Sequence, residues 1–509
     1  MTYVEYKQLN PFQRFAYNTK KFFCNIPHAV AHFFTALGKA IVKFFVGIGK
    51  GFANYGKTFV KGDWATKLSY LIFGVGDLSK GKYYKGILFF AVEVLYILYM
   101  AFFGWGYLKM FPTLGIQAQR TEYINGIIPK QVPGDNSMLI LLYSVLTLVI
   151  TVVVFAIYIV NIKDAYRHQI MKANGQKPTS FKYDMKQFLD GKYHITLMSF
   201  PVLMIGIFNV LPLIFMILIA FTNYDKQHMP PGTLFTWIGF DNFGSLFNLV
   251  EGAKKGYTFI KLTEWTLIWA VAATFSNYIL GLIFALMINK KGIKFKSLWR
   301  TLFVITIAVP QFVSLMLINR MFNEDLGIVN SILSVMAKHV VHVRWLSDPI
   351  ITKIFIIVAN TWVGIPYTML ISSGILMNIP EDLYESARID GASPFKTFAK
   401  ITLPYMLFVT GPYLISQFVG NINNFNVIYL LSGGNPLFTF GTQLKPNILQ
   451  DVGQTDLLIT WIYKLTFTNT PALYSTASVL GIFIFAIVAV ISLIFYGNSN
   501  AVKNEEDFQ

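Results

Sequence analysis

The residues best suited to bind another protein lie in one loop, residues 380–404, between two long apolar segments. Its pattern is E-x-A-x-x-D-G-A, followed nine residues later by I-x-L-P, and comprises Glu385, Ala387, Asp390, Gly391 and Ala392. Glu381 after Pro380 predicts a helix start, because an acidic side chain suits the positive end of a helix dipole. Gly391 predicts the end of that helix. A docking helix and an ordinary capped hairpin between two spans would both have this local pattern.

A second pattern points to nucleotide chemistry. Residues Gly51 to Thr58 satisfy the phosphate-binding sequence G-x-x-x-x-G-K-[ST], which taken literally would make the chain an ATPase. A P-loop requires a preceding buried strand and a surrounding parallel sheet, and residues 1–85, before the first apolar segment, are too few to build them. Phe52 and Tyr55 are also bulky for a turn that must approach phosphate closely. We therefore interpret the match as fortuitous.

The elements that must position these residues are membrane helices. The 509 residues are 54% hydrophobic and only 13% charged, and the apolar residues fall in long runs. Eight runs can span a membrane, at residues 86–111, 137–162, 199–222, 262–289, 299–322, 350–377, 404–431 and 472–496. The predicted fold is all-α and polytopic, with eight transmembrane helices.

Basic residues indicate the orientation of these spans. Lys and Arg concentrate before the first run, after the second and after the fourth, whereas segments 112–136 and 323–349 are poor in them. The positive-inside rule then predicts cytoplasmic N- and C-termini and places Glu385 on the same side. The net charge of +17 is explained by inner-loop lysines facing anionic lipids, so we expect no nucleic-acid partner.

The segment before the first span has its own pattern. On a helix its lysines fall within an arc of about 40°, beside apolar side chains, which predicts an amphipathic helix on the inner membrane surface. These residues are Lys39, Lys43, Lys50, Lys57 and Lys61.

Residues that could bind a metal are few, and ionisable residues are scarce within the apolar runs. The single Cys24 excludes an intrachain disulfide and a cysteine metal cluster, and His28 and His32 alone do not predict a metal site. Glu93 is the clear acid within an apolar run, which is thin support for an ion-coupled secondary transporter. A structural hydrogen bond or a headgroup contact is the favoured role for Glu93.

The loop at 380–404 resembles the "EAA" coupling loop of ABC importer permeases, in which a short helix docks into the ATP-hydrolysing subunit. Further motifs, together with that loop, resemble the larger permease subunit of maltose/maltodextrin importers over about residues 195–497. They are Arg300 to Phe312, Trp345-Leu-Ser-Asp-Pro349, Trp362-Val-Gly-Ile-Pro-Tyr367, Asn423 to Gly434 and Thr455-Asp-Leu-Leu.

That resemblance implies a sugar site halfway through the membrane, on the sixth and seventh spans. The implied substrate-binding residues are Gly364, Tyr367, Gln417, Asn421 and Asn424. Amides donate and accept hydrogen bonds and tyrosine offers a ring face, so the set suits a sugar. Each residue taken singly is equally consistent with helix packing. Gln417, Gly420 and Val363 replace a Ser, an aromatic residue and a Leu of the family, which indicates a wider or differently stacked pocket.

The resemblance also implies an organisation and a set of partners. Residues 1–85 form a basic cytoplasmic region, 86–162 two leading spans, 195–497 the permease domain and 498–509 a cytoplasmic tail. The chain is expected to be a non-enzymatic subunit in a bacterial or archaeal cytoplasmic membrane. Its expected partners are a second permease, a homodimeric ATPase, which binds the ATP and magnesium, and a solute-binding protein that delivers an oligosaccharide. A permease for another sugar or solute, or an ion-coupled transporter, is the alternative.

Overall fold

A computed structural model describes most of the chain: residues 35, 38–40, 42–43, 45–47, 49–124, 127–176, 179–250, 254–290, 292–440, 443–444, 449, 451–469 and 471–498. Cys24, His28, His32 and residues 499–509 of the predicted tail lie outside these ranges. The chain divides into two compact units, Met1–Gly239 and Phe240–Gln509.

Within its described residues, the first unit contains helices and one hairpin. Its strands β1, Arg120–Ile124, and β2, Ile128–Val132, pair antiparallel. Its helices are α1 (49–61), α2 (Trp64–Leu68), α3 (Val75–Leu78), α4 (Tyr83–Met110), α5 (Ser137–Ala173), α6 (Phe181–Leu189) and α7 (Tyr193–Ile219).

The part of the second unit that the structure describes is also helical, with one pair of two-residue strands, β3 (Thr439–Phe440) and β4 (Gln443–Leu444). Its helices are α8 (Asp241–Phe247), α9 (Lys254–Asn289), α10 (Lys296–Ala308), α11 (Gln311–Met321), α12 (Ile328–Ala337), α13 (Pro349–Leu376), α14 (Glu381–Ile389), α15 (Pro394–Ile422), α16 (Phe425–Leu431), α17 (Leu458–Tyr463) and α18 (Tyr474–Asn498).

The predicted all-α membrane fold is confirmed. Seven of the described helices are long and apolar enough to span a membrane, and the pair α10 and α11 makes an eighth span if it is counted as one. Two spans differ from their predicted course. The run 299–322 bends by 88° between α10 and α11. Val309 has an extended backbone there because the ring of the following Pro310 disfavours the helical conformation for the residue before it.

The run 404–431 is likewise not one helix. Helix α15 ends at Ile422, and a separate helix, α16, begins after Asn424. The Asn424 side chain accepts a hydrogen bond from Val427 N, at 3.3 Å, and so caps the new helix. An apolar run therefore conceals a turn that an amide initiates.

The segment that matched the phosphate-binding pattern is part of α1. Residues 51–58 are continuously helical, whereas a P-loop encloses the phosphate in a loop, so the structure favours the interpretation of the match as fortuitous. Tyr55 anchors this helix: its hydroxyl lies 2.5 Å from that of Tyr158, and its carbonyl accepts from Tyr70 Oη at 2.7 Å.

Buried polar contacts hold the short helices of the first unit to α5. Lys80 Nζ donates to Asp63 Oδ1, at 3.3 Å, and to the Ala165 carbonyl, at 2.9 Å. Glu93 has a structural role, as favoured from the sequence, because it accepts a hydrogen bond of 2.8 Å from Phe73 N.

The core of the second unit lies where α9 and α13 cross α11 and α16. Trp269, Leu315, Ile356 and Val427 are each fully buried there. The two long helices approach closely at Gly281, where a Cβ would overlap the Thr368 side chain. Small residues at this crossing let the backbones meet, as is common in membrane helices.

Candidate functional site

A cavity of about 1110 Å³ opens in the second unit between α9, the bent pair α10 and α11, α13 and α15. Aromatic side chains line part of it, among them Phe284, Phe303 and Tyr413. Amide side chains line the rest: Asn277, Gln311, Asn360, Gln417, Asn421, Asn423, Asn424 and Asn426. Amides that donate and accept, next to ring faces, form a surface suited to a hydroxyl-rich ligand.

All five residues implied as substrate-binding border this cavity. Helix α13 carries Gly364 and Tyr367, helix α15 carries Gln417 and Asn421, and Asn424 lies in the turn after α15. Tyr367 is 52% exposed, and Gln417 is also exposed. These two side chains are therefore free to contact a ligand in the cavity.

Asn421 and Asn424, in contrast, already bond within the protein. Asn421 is buried, and its Nδ2 donates to Thr274 Oγ1 of α9 at 2.9 Å. Asn424 Nδ2 lies 3.3 Å from Asn360 Oδ1 and 3.4 Å from Asn421 Oδ1. The amides thus form a chain that ties the end of α15 to α9 and α13, and only the half-buried Asn424 retains appreciable access to the cavity.

Gly364 offers no side chain, and its position is explained by its neighbour. The amide of Asn277, from α9, lies against it so closely that a Cβ at Gly364 would overlap Asn277 Oδ1. Sequence reasoning missed both Asn277 and Asn360. Asn360, Gly364 and Tyr367 follow the helical spacing of one face, which was the available signal for Asn360.

The predicted docking loop folds as its sequence indicates. Helix α14 begins directly after Pro380, and Gly391 has φ of +67°, the left-handed conformation that favours glycine. Gly391 N donates to the Arg388 carbonyl at 3.0 Å, and Ala392 N to the Ala387 carbonyl at 2.9 Å. The predicted start and end of this helix are confirmed.

The surface of this loop is open. The exposed polar and glycine positions are Glu381, Glu385, Asp390 and Gly391, while Ala387 and Ala392 are half-buried. The apolar side chains of Ile389 and Phe395 are also exposed, at 87% and 80%. Tyr384 Oη lies 3.0 Å from Thr402 Oγ1, which fixes α14 to the beginning of α15. Large exposed apolar side chains rimmed by polar residues are typical of a protein docking surface.

A buried ion pair lies at another edge of the second unit. Lys464 Nζ is 2.6 Å from Asp456 Oδ2, which also accepts from Gly453 N at 2.7 Å. Burial raises the pKa of the Asp456 carboxyl, while Lys464 opposes that rise. Asp456 belongs to the Thr455-Asp-Leu-Leu motif and fixes the loop before α17. Within the described ranges, no three His, Cys, Asp or Glu side chains are grouped so as to hold a metal ion.

Comparison with known proteins identifies the family of the chain. Residues 277–501 match the family model of the binding-protein-dependent transport system inner membrane component. The maltodextrin transport system permease protein MdxF of Bacillus subtilis is 36% identical over 443 residues, which cover 86% of this chain and 95% of that protein.

Two further relatives extend the comparison. The galactooligosaccharides transport system permease protein GanP of Bacillus subtilis is 33% identical over 86% of this chain and 97% of its own length. The maltose/maltodextrin transport system permease protein MalF of Escherichia coli K12 is 33% identical over 53% of this chain and 51% of its length. The chain therefore belongs to the family of membrane-spanning permease subunits of ABC importers that includes these oligosaccharide permeases.

Proposed function

We propose that this permease subunit carries a maltodextrin-like oligosaccharide across the cytoplasmic membrane of a bacterium or archaeon, and that the cavity between α9, α13 and α15 holds the sugar. The observation that carries the proposal is the lining of that cavity of about 1110 Å³, to which eight Asn and Gln residues contribute. Four of them, Gln311, Gln417, Asn423 and Asn426, are exposed. Such a lining can replace the hydrogen bonds of many hydroxyl groups while aromatic rings contact the apolar faces of a sugar.

The energy comes from a separate homodimeric ATPase, which binds ATP and magnesium. Helix α14 is the element that docks to it, with Glu381, Glu385 and Asp390 toward basic groups and Ile389 in an apolar part of the ATPase surface. The hydrogen bond between Tyr384 of α14 and Thr402 of α15 supports this role, because it couples the docked helix to a cavity-lining span.

Membership of the family supports two further partners. A second permease completes the pathway, and a solute-binding protein delivers the sugar on the outer side. The distribution of Lys and Arg supports cytoplasmic termini and a cytoplasmic α14. The lysines of α1 then face anionic headgroups at the inner surface of the membrane.

A galactooligosaccharide is the second candidate substrate. The identities to a maltodextrin permease and a galactooligosaccharide permease, 36% and 33%, differ little. The two candidates share the amide lining and would differ in how the hydroxyl groups of the sugar meet it.

The test is transport by the assembled complex in proteoliposomes. The chain is co-expressed with its ATPase and second permease, and uptake and ATP hydrolysis are measured with the solute-binding protein and a panel of maltodextrins and galactooligosaccharides. We expect maltodextrins to stimulate ATP hydrolysis and to be taken up. The control is the same measurement without the solute-binding protein. Uptake of galactooligosaccharides alone would favour the second candidate, and stimulation by neither would contradict the proposal.

A further inference from the structure

Helix α6 presents exposed apolar side chains along one side. At 100° per residue, Phe181, Met185, Phe188 and Leu189 fall within an arc of about 100°. All four side chains are exposed, by 56%, 47%, 43% and 69% respectively. We call this set the apolar arc of α6. Contiguous exposed apolar side chains mark a contact with a partner or with a membrane.

The beginning of α6 is attached to the beginning of the first membrane helix, α4. Asp184 accepts hydrogen bonds from Lys82 Nζ, at 2.6 Å, and from the Tyr84 hydroxyl. Lys82 is only 1% exposed, and its Nζ also donates to Thr179 Oγ1 at 2.6 Å. The rings of Tyr84 and Phe181 are in contact, with centroids 4.9 Å apart. This end of α6 therefore lies where α4 enters the membrane.

The end of α6 is attached to the next membrane helix, α7. Thr196 Oγ1, in the first turn of α7, donates to the Phe188 carbonyl at 2.8 Å. Only three residues separate Leu189 from Tyr193, where α7 begins. Both ends of α6 thus lie beside points where the chain enters the membrane. A helix held in this way lies along the membrane surface.

The charges on α6 suit an acidic membrane surface. Its basic residues, Lys182 and Lys186, are exposed and lie directly beside the apolar arc. Asp184 is the one carboxylate of this helix, and its ion pair with Lys82 neutralises it. A lysine beside an apolar surface can extend its ammonium group to the headgroups. Each lysine at an anionic surface favours membrane contact about fivefold.

We propose that α6 is an interfacial helix that binds anionic phospholipids, with its apolar arc among the acyl chains and Lys182 and Lys186 at the headgroup phosphates. In the orientation proposed above, these lipids belong to the inner leaflet. An anionic phospholipid supplies both the apolar contact and the negative charge, so one class of ligand matches both parts of the helix surface. The proposal goes beyond the transport function, because it concerns how the connection between α5 and α7 is held on the membrane.

The test compares labels on two sides of α6 in the complete complex. Cys24 is replaced by serine, the cysteines of the partner subunits are likewise replaced, and Met185→Cys or Tyr183→Cys then carries an environment-sensitive fluorophore. Met185 lies in the middle of the apolar arc, and Tyr183 lies about 160° from it around the helix. The two side chains are 47% and 50% exposed, so the positions are matched in exposure and differ in the side they face.

The labelled complexes are reconstituted in vesicles of phosphatidylglycerol and phosphatidylcholine. Spin-labelled lipids, which quench from within the bilayer, should quench the label at 185 several-fold more than the label at 183. Iodide in the aqueous phase should quench them in the opposite order.

A second comparison tests the lysines. Replacing Lys182 and Lys186 together by glutamine should lower lipid quenching at 185 to the level measured in vesicles of phosphatidylcholine alone, because the attraction to anionic headgroups is lost. Lys130→Gln is the control, since Lys130 is an exposed lysine in strand β2 and not in α6. It should leave the quenching at 185 unchanged.

Strong quenching of the 185 label by iodide would show that the apolar arc faces water, and resistance to both quenchers would show that a protein subunit covers it. Either result would overturn the proposal. Lipid quenching that is independent of phosphatidylglycerol, or that falls equally in Lys130→Gln, would also overturn it. These measurements use neither sugar nor ATP, so a negative result would leave the proposed transport function to its own test.

Discussion

Asn277 and Gly364 lie in such close apposition that the amide of one occupies the space a side chain on the other would need. The contact sets the distance between α9 and α13 at the cavity. Gly364 belongs to the Trp362 to Tyr367 motif, so this glycine acts by admitting a neighbouring amide.

Gly364→Ala should therefore act through overlap with Asn277. We expect it to lower the stability of the complex by about 1–3 kcal/mol and to reduce uptake, because the added methyl group forces the two helices apart. Thermal unfolding of the purified complex measures the first effect. Asn277→Ala in the same chain should restore stability, and a double variant no more stable than Gly364→Ala would show that the overlap is not the cause.

Asn421→Leu tests whether a motif asparagine contacts sugar or packs helices. The Asn421 amide donates a hydrogen bond to Thr274 Oγ1, so its loss should destabilise the complex by about 1–3 kcal/mol. Thr274→Val removes the same hydrogen bond from the other side and is the matched control. Equal losses of stability and uptake in the two variants would indicate a packing role. Loss of uptake in Asn421→Leu alone, at equal assembly, would indicate a sugar contact.

The docking role of α14 predicts uncoupling without loss of the folded subunit. Gly391→Pro is incompatible with a φ of +67°, and Glu385→Lys reverses an exposed charge, so both should abolish sugar-stimulated ATP hydrolysis and uptake. Gly391→Asn is the control, because asparagine tolerates the left-handed conformation. Uptake near wild type in Gly391→Pro or Glu385→Lys, at equal membrane abundance, would contradict the docking role.

Lys57→Ala should leave ATP hydrolysis and uptake by the complex nearly unchanged. The residue lies within the continuous helix α1, and a P-loop lysine would have to reach the β- and γ-phosphates from a loop. Hydrolysis rates of the variant and wild-type complexes at saturating ATP provide the measurement. A severe loss with intact ATPase subunits would show that this segment does bind nucleotide.

Local signals in the sequence were sufficient where the structure is local. The ends of α14 follow from Pro380, the acidic first turn and Gly391, because each acts on the backbone beside it. The phosphate-binding pattern at residues 51–58 could also be judged from the sequence, because too few residues precede the first span to build the sheet that a P-loop requires.

Features that depend on a second helix were not predictable in this way. Asn277 and Gly364 are far apart in the sequence, and nothing near either one indicates that they meet. Hydropathy also averages over a turn, so the runs through Pro310 and Asn424 appeared continuous although each contains a break. The residues of the cavity wall become recognisable as a set only once α9 and α13 are packed together.

The break between α10 and α11 has a consequence for hydration. Pro310 has no N–H, so the carbonyl of Thr306, four residues earlier, loses its helical donor, and both residues border the cavity. Irregular backbone at membrane depth is tolerated only where it is buried in protein or lines a water-filled space. Water in the cavity can satisfy the Thr306 carbonyl, so we expect a ligand that binds there to displace ordered water beside the bend between α10 and α11.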